Sequence, residues 1–202
     1  MFFSEHYKVH WWGPPRIASR ALMLIPTALD FNNNRDGHNP TIINPEWDVV
    51  LPIRNPYSRA VSWWHLRHNE PKIPDDFKNI SFEEFIRKDS NEYLTMDLGT
   101  PWEPISQIRK HNLKIRNIIR YEHLVDDLMQ IDFVIENFET LKEPLYNLKY
   151  QQRDAYRNDY IQHIRTPVCS FYTQELADIV WEKKQFEFQE WGYEKDSWKY
   201  LL

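Results

Sequence analysis

Residues 47 to 64 constrain the fold more than any other stretch. Trp47-Asp48-Val49-Val50-Leu51-Pro52-Ile53 is an apolar run that reads as a buried strand. The chain then turns at Asn55-Pro56 and continues as a helix that carries Ser62, Trp63 and Trp64. Such strand–turn–helix units bind anions. Helix-start N–H groups point outward, the helix dipole is positive there, and Arg54 at the strand's end adds a fixed charge and a planar donor fork. Arg54 alone would signal little, because most surface arginines are merely solvated. The signal is the combination of strand-end Arg, turn, helix start and helix Ser.

The chain has 202 residues, enough for one domain with a sizeable core. Its 9 Trp, 11 Tyr and 11 Phe within 42% hydrophobic residues make it globular, not disordered. A net charge of −5 argues against bulk nucleic-acid binding, though not against a local basic cleft. One cysteine, Cys169, excludes an internal disulfide and fits a reducing compartment. No run of about 18 apolar residues is present to span a membrane. The start, Met1-Phe2-Phe3-Ser4-Glu5-His6, lacks the basic and apolar regions of a signal peptide. The expectation is a cytoplasmic protein, or a core trimmed from a longer chain.

Tyr7 to Trp12 alternates roughly and predicts the first strand, ended by Gly13-Pro14-Pro15. Arg16 to Ile25 predicts a helix stopped at Pro26, with Arg16, Ser19 and Arg20 at its start. Those residues suit a phosphate; equally, they suit a Pro-initiated helix with a capping Ser. Residues 30 to 46 form a polar loop in which His38 is either a solvated residue or a proton-transfer group. Ser81 with Glu84 is a capping box ahead of a helix whose Phe82, Phe85 and Ile86 share a face. Trp102, in the turn Gly99 to Pro104, suits stacking on a sugar or base, or core packing. Asn117 to Tyr121 predicts a second buried strand, followed by helices over 122–129 and 131–141. Residues 149 to 167 read as a charge-rich loop. The last helix spans 171–189 with Leu176, Ile179, Val180 and Phe186 inward, and Gly192 stops it. Strands alternating with helices imply a parallel sheet covered on both faces, with ligands at the strands' carboxyl ends.

Ile53-Arg54-Asn55-Pro56-Tyr57-Ser58-Arg59-Ala60-Val61-Ser62 resembles the 3′-phosphate-binding signature of sulfotransferases, an Arg-Asn/Asp-Pro start with a Ser eight residues after the Arg. The likeness is closest to the carbohydrate sulfotransferase branch. Pro15-Arg16-Ile17-Ala18-Ser19-Arg20 falls where that family has its 5′-phosphosulfate loop, usually Pro-Lys-Thr-x-Ser/Thr-Thr/Ser. Trp102-Glu103-Pro104, Ile119-Arg120-Tyr121-Glu122-His123-Leu124 with Asp127, His163-Ile164-Arg165-Thr166 and the segment Tyr172 to Tyr193 resemble later family elements in the family's order.

The resemblance implies an α/β, P-loop NTPase-like three-layer fold, with a central parallel sheet flanked by helices, over a single domain of residues 1–202. It implies 3′-phosphoadenosine 5′-phosphosulfate (PAPS) as donor, the 3′,5′-bisphosphate (PAP) as product, no metal, and in-line transfer of a sulfuryl group to an acceptor, a glycan hydroxyl above all. The needs resemble those of phosphoryl transfer: positioning, charge stabilisation and a base. Arg54 and Ser62 would bind the 3′-phosphate. Arg16, Ile17, Ala18, Ser19 and Arg20 would form the phosphosulfate loop, with Arg16 in the slot of the family's Lys. Tyr121 would lie near the adenine, Arg165 would clamp the 3′-phosphate, and Trp102 would face the acceptor. His38 would be the base, with His10, Glu46 and Glu103 as alternatives. Arg16 stays charged but is a poor proton donor, and Ile17 and Arg20 replace hydroxyl residues. Those departures leave room for a non-catalytic nucleotide- or glycan-binding relative. A P-loop nucleotide kinase is disfavoured, because no Gly-x-x-x-x-Gly-Lys-Ser/Thr occurs among only 4 glycines. The length and missing anchor differ from Golgi members, so a bacterial or viral source is expected.

Overall fold

Val49, Val50, Leu51 and Ile53 are sealed from solvent, so the run they belong to is a strand covered on both faces. The computed structural model describes residues 2–12, 22–33, 44–69, 80–88, 108–154 and 166–201. The chain divides into two compact units: Met1–Arg54 with Pro101–Tyr156, and Asn55–Thr100 with Arg157–Leu202. In chain order the strands are β1 (Phe2–Ser4), β2 (Val9–Trp11), β3 (Asn32–Asn33), β4 (Asp48–Ile53) and β5 (Ile115–Arg120). The helices are α1 (Leu24–Ala28), α2 (Pro56–Asn69), α3 (Phe82–Arg87), α4 (Leu124–Leu128), α5 (Asp132–Glu136), α6 (Phe138–Asp154) and α7 (Gln174–Trp191). Among the described residues no helix is long and apolar enough to cross a membrane.

The first unit holds a five-stranded sheet in the order β3-β1-β2-β4-β5. β2, β4 and β5 are parallel, as expected, but β1 and β3 pair antiparallel. The sheet is therefore mixed, not wholly parallel. β1 and β3 have only three and two residues, too few to show a period of two. Tyr7 and Lys8, expected in the first strand, lie in the turn that joins β1 to β2. Tyr7 still packs with the side chains of that strand's face: its ring stacks on Phe133, centroids 4.7 Å apart. The expected alternation is absent: Val9, His10, Trp11 and Trp12 are all buried, so β2 is covered on both faces.

Pro52 sits within β4, where a missing N–H ordinarily breaks a ladder. Asp48 N–H donates to Lys8 O, and Val50 O accepts from Trp12 N–H, so even-numbered residues of β4, Pro52 among them, face β2. Among the described residues the β2 pairing runs to Trp11↔Val50. Pro26 is placed where a missing N–H costs nothing. It falls within the first turn of α1 rather than ending a helix, because first-turn N–H groups have no intrahelical acceptor.

The helix expected over 131–141 is two helices. α5 ends at Asn137, whose side-chain amide donates to Phe133 O (2.7 Å) and to the Tyr7 hydroxyl (2.9 Å). α6 then runs to Asp154, so residues 149–154, expected in a loop, are helical. Phe31, Trp11, Phe133, Leu141 and Leu145 belong to the core that this unit buries.

In the second unit α2, α3 and α7 pack around Tyr57, Phe85, Tyr172 and Phe188. The capping box is present: Ser81 Oγ accepts from Glu84 N–H at 3.1 Å, and the Glu84 carboxylate accepts from Ser81 N–H at 2.7 Å. Gly192 ends α7 in the left-handed region, φ 70°, where only glycine is unstrained. One inward assignment fails. Phe186 is exposed and Phe188 is buried. The buried stripe of α7 passes through Lys184 and Glu187, which an apolar-only pattern skips.

Candidate functional site

Arg54 leaves the carboxyl end of β4, and Tyr121 leaves the same end of β5. The register Ile53↔Arg120 makes these two residues neighbours across the ladder. The Arg54 guanidinium carbon lies 4.0 Å from the centre of the Tyr121 ring. This is a cation–π contact, in which the ring's negative face attracts the flat, delocalised cation.

Tyr121 is itself set from behind. Asp127, on α4, accepts from the Arg120 backbone N–H (2.8 Å), from its Nε (2.9 Å) and from its Nη2 (2.6 Å). The Asp127 side chain is 5% exposed while that of Arg120 is 46% exposed. Burial pushes the Asp127 carboxyl up, but the Arg120 hydrogen bonds and charge, with His123, outweigh it and hold the group below its usual range. The end of β5 is thereby tied to the helix that follows Tyr121.

In the second unit, Asn55 organises the start of α2. Its Oδ1 accepts from Tyr57 N–H (3.0 Å), its backbone O accepts from Arg59 N–H (2.9 Å), and its Nδ2 donates to Ser197 Oγ (2.9 Å). Pro56 has no N–H. The helix-start donors at Tyr57 and Arg59 are thus committed within the chain. Ser62 lies further along α2 and is 8% exposed.

Of the residues expected at the site, Arg54 and Tyr121 are brought together within the first unit, and Ser62 belongs to the second. Arg16, Ile17, Ala18, Ser19, Arg20, His38, Trp102, Glu103 and Arg165 lie outside the described residues. Of the alternative bases, Glu46 is exposed. His10 is fully buried in β2, with its ring 5.5 Å from that of Trp47. Its Nε2 donates to Asn44 O at 2.9 Å, and its Nδ1 has no hydrogen-bond partner among the described residues.

His10 does predict a pH effect. Burial lowers its pKa below the ordinary 6.5, against the opposing pull of the Asn44 hydrogen bond. The unfolded chain therefore binds this proton at higher pH than the folded one. The stability of neutral His10 is complete above pH 6.5 and is lost as the pH falls below it. Thermal unfolding midpoints should drop between about pH 7.5 and about pH 5.5, and His10→Gln should flatten that slope. An unaltered slope in the variant would assign it to other groups.

Two structural contributions had no role in the sequence reading: Asp127 as the clamp on β5, and Asn55 as the cap of α2. The Asn-Pro pair at a helix start was the available signal for the second. Asp127 sits seven residues from Arg120, and no local rule pairs a strand residue with a later helix.

Compared with known families, residues 37–194 match the model of the sulfotransferase family. The chain belongs to the sulfotransferase family. The matched span covers more than three quarters of the 202 residues. It includes His38, Arg54, Ser62, Trp102, Tyr121 and Arg165, whereas Arg16 to Arg20 precede it. No curated protein and no solved structure matches the chain. Membership supports sulfotransfer as the general activity of this sulfotransferase-family chain. Among its described residues no group of three or more His, Cys, Asp or Glu could hold a metal ion.

Proposed function

We propose that the chain transfers a sulfuryl group from PAPS to an acceptor hydroxyl, that of a carbohydrate, and releases the 3′,5′-bisphosphate PAP. The observation that carries this reading is the family match across the Arg54–Ser62 signature. The guanidinium of Arg54, held over a ring at the end of a central parallel strand, suits a phosphate dianion. In this reading Arg54 and Ser62 bind the 3′-phosphate, and Arg165 closes on it. Tyr121 lies beside the nucleotide. Arg16, Ile17, Ala18, Ser19 and Arg20 hold the 5′-phosphosulfate, and Arg16 stabilises the leaving oxygen. His38 takes the acceptor proton as the new O–S bond forms and the donor's S–O bond breaks. Trp102 faces the acceptor. No metal is required, since protein cations can carry the charge that develops. The two units would act as a single domain over residues 1–202, a view supported by a family match that runs through both.

A second reading has a specific motive. Arg16, Ile17 and Arg20 stand where the resemblance calls for Lys and hydroxyl residues, which favours a non-catalytic nucleotide- or glycan-binding module. One experiment separates the two. The full chain is incubated with PAPS and a panel of oligosaccharides, and products are read by mass spectrometry with His38→Ala and Arg16→Ala as controls. Sulfated product that disappears in both controls supports the enzyme. Bisphosphate binding without transfer across the panel supports the module, and neither binding nor transfer rejects both.

A further inference from the structure

We infer that Tyr121 is a positioning residue for Arg54, and that the Asp127 clamp on Arg120 sets Tyr121. This rests on the reading of Arg54 as the 3′-phosphate anchor, and it changes the role of Tyr121 from a contact of the adenine to a support of the cation.

Three observations lead there. First, the parallel register that pairs Ile53 with Arg120 sends Arg54 and Tyr121 off adjacent strand ends. Second, the guanidinium lies over the Tyr121 ring at 4.0 Å, so one ring face is already covered by this chain's own cation. Third, Arg120, immediately before Tyr121, gives three hydrogen bonds to one nearly buried carboxylate, one from its backbone N–H and two from its guanidinium. Stacking uses the flat face of a guanidinium, whereas its N–H donors radiate in the plane. The ring can therefore hold Arg54 without consuming the donors that a phosphate would accept from. A free arginine has many rotamers, and a ligand must restrict them on binding. A ring that restricts them beforehand removes that loss from the binding step. In this arrangement the aromatic face matters and the phenol hydroxyl does not.

The test is a double-mutant cycle on the full chain, titrated with 3′,5′-adenosine bisphosphate by calorimetry. The variants are Tyr121→Phe, Tyr121→Met (similar bulk, no ring), Arg54→Ala, and the Tyr121→Met, Arg54→Ala pair. Asp127→Asn is a second route to the same displacement, and thermal unfolding confirms that each variant is folded. The expected result is that Tyr121→Phe binds as the parent does and Tyr121→Met weakens binding about ten-fold. Asp127→Asn should weaken it in the same direction. In the Arg54→Ala background, Tyr121→Met should change nothing further. Equal losses from Tyr121→Met in both backgrounds would overturn the inference, because Tyr121 would then be touching the nucleotide itself. Loss in Tyr121→Phe, or none in Tyr121→Met, would overturn it as well. Those results leave the anchor reading intact. Unaltered binding in Arg54→Ala would instead reject the anchor together with this inference, and no binding by the parent chain would reject the donor reading and both roles with it.

Discussion

Glu187→Gln is expected to destabilise the protein by about 3–5 kcal/mol, the cost of breaking a buried ion pair from one side. Glu187 lies on α7 between two cations. Its Oε2 is 3.2 Å from Arg59 Nη1 on α2, and its Oε1 accepts a short hydrogen bond from Lys184 Nζ. All three side chains are under 10% exposed. Neutralising the carboxylate leaves two positive groups facing each other in a poorly solvated space, so both desolvation and repulsion oppose folding. Urea unfolding monitored by tryptophan fluorescence gives the measurement. The triple variant Arg59→Met, Lys184→Met, Glu187→Leu supplies the control. It removes the charges together and should cost less than Glu187→Gln alone, since apolar replacement of a whole buried network is often near neutral. A Glu187→Gln midpoint close to that of the parent would show that water or rearrangement compensates the cations. The cluster joins α2 to α7, so the same loss would loosen the helix that Asn55 caps.

Arg54→Ala is expected to lower affinity for 3′,5′-adenosine bisphosphate by about 100-fold, the scale for truncating one partner of a charge-assisted, partly desolvated pair. Arg54→Lys separates charge from shape. Lysine keeps the positive charge but loses the planar fork and the flat face that lies over Tyr121, so it should recover only part of the loss. Ser62→Ala removes a single hydroxyl and should cost about 5-fold, the worth of one hydrogen bond. The parent's affinity should fall with added salt, while Arg54→Ala should show a shallower dependence. Calorimetry at two ionic strengths reads the parent and all three variants. Parent-like binding by Arg54→Ala would remove this residue from the site, whatever the activity of the chain.

Some of this architecture is legible in the sequence, and the reasons are local. The run Val49 to Ile53 is apolar over its length, which suits a strand covered on both faces. Ser81 and Glu84 carry their capping box within four residues, and Gly192 ends a helix for a reason confined to its own backbone. The Arg54–Ser62 signature is likewise contiguous, so the family could be read from it, and the match over residues 37–194 agrees.

The remainder depended on partners far apart in the chain. β1 and β3 are too short to carry a period, and they exist because the edge of β2 offers β1 a ladder and β1 in turn offers one to β3. The break at Asn137 follows from a hydrogen bond to Tyr7, more than a hundred residues earlier. Lys184 and Glu187 look like a solvated i, i+3 pair in sequence, and in the fold they are buried with Arg59 of another helix against the same carboxylate. The contact of Arg54 with Tyr121 needs the β4–β5 register, which no residue near either one specifies. Caps, turns and apolar runs act over a few residues and so are written locally. Strand register and the burial of charge are decided by which distant groups meet, and that was settled only when the chain folded.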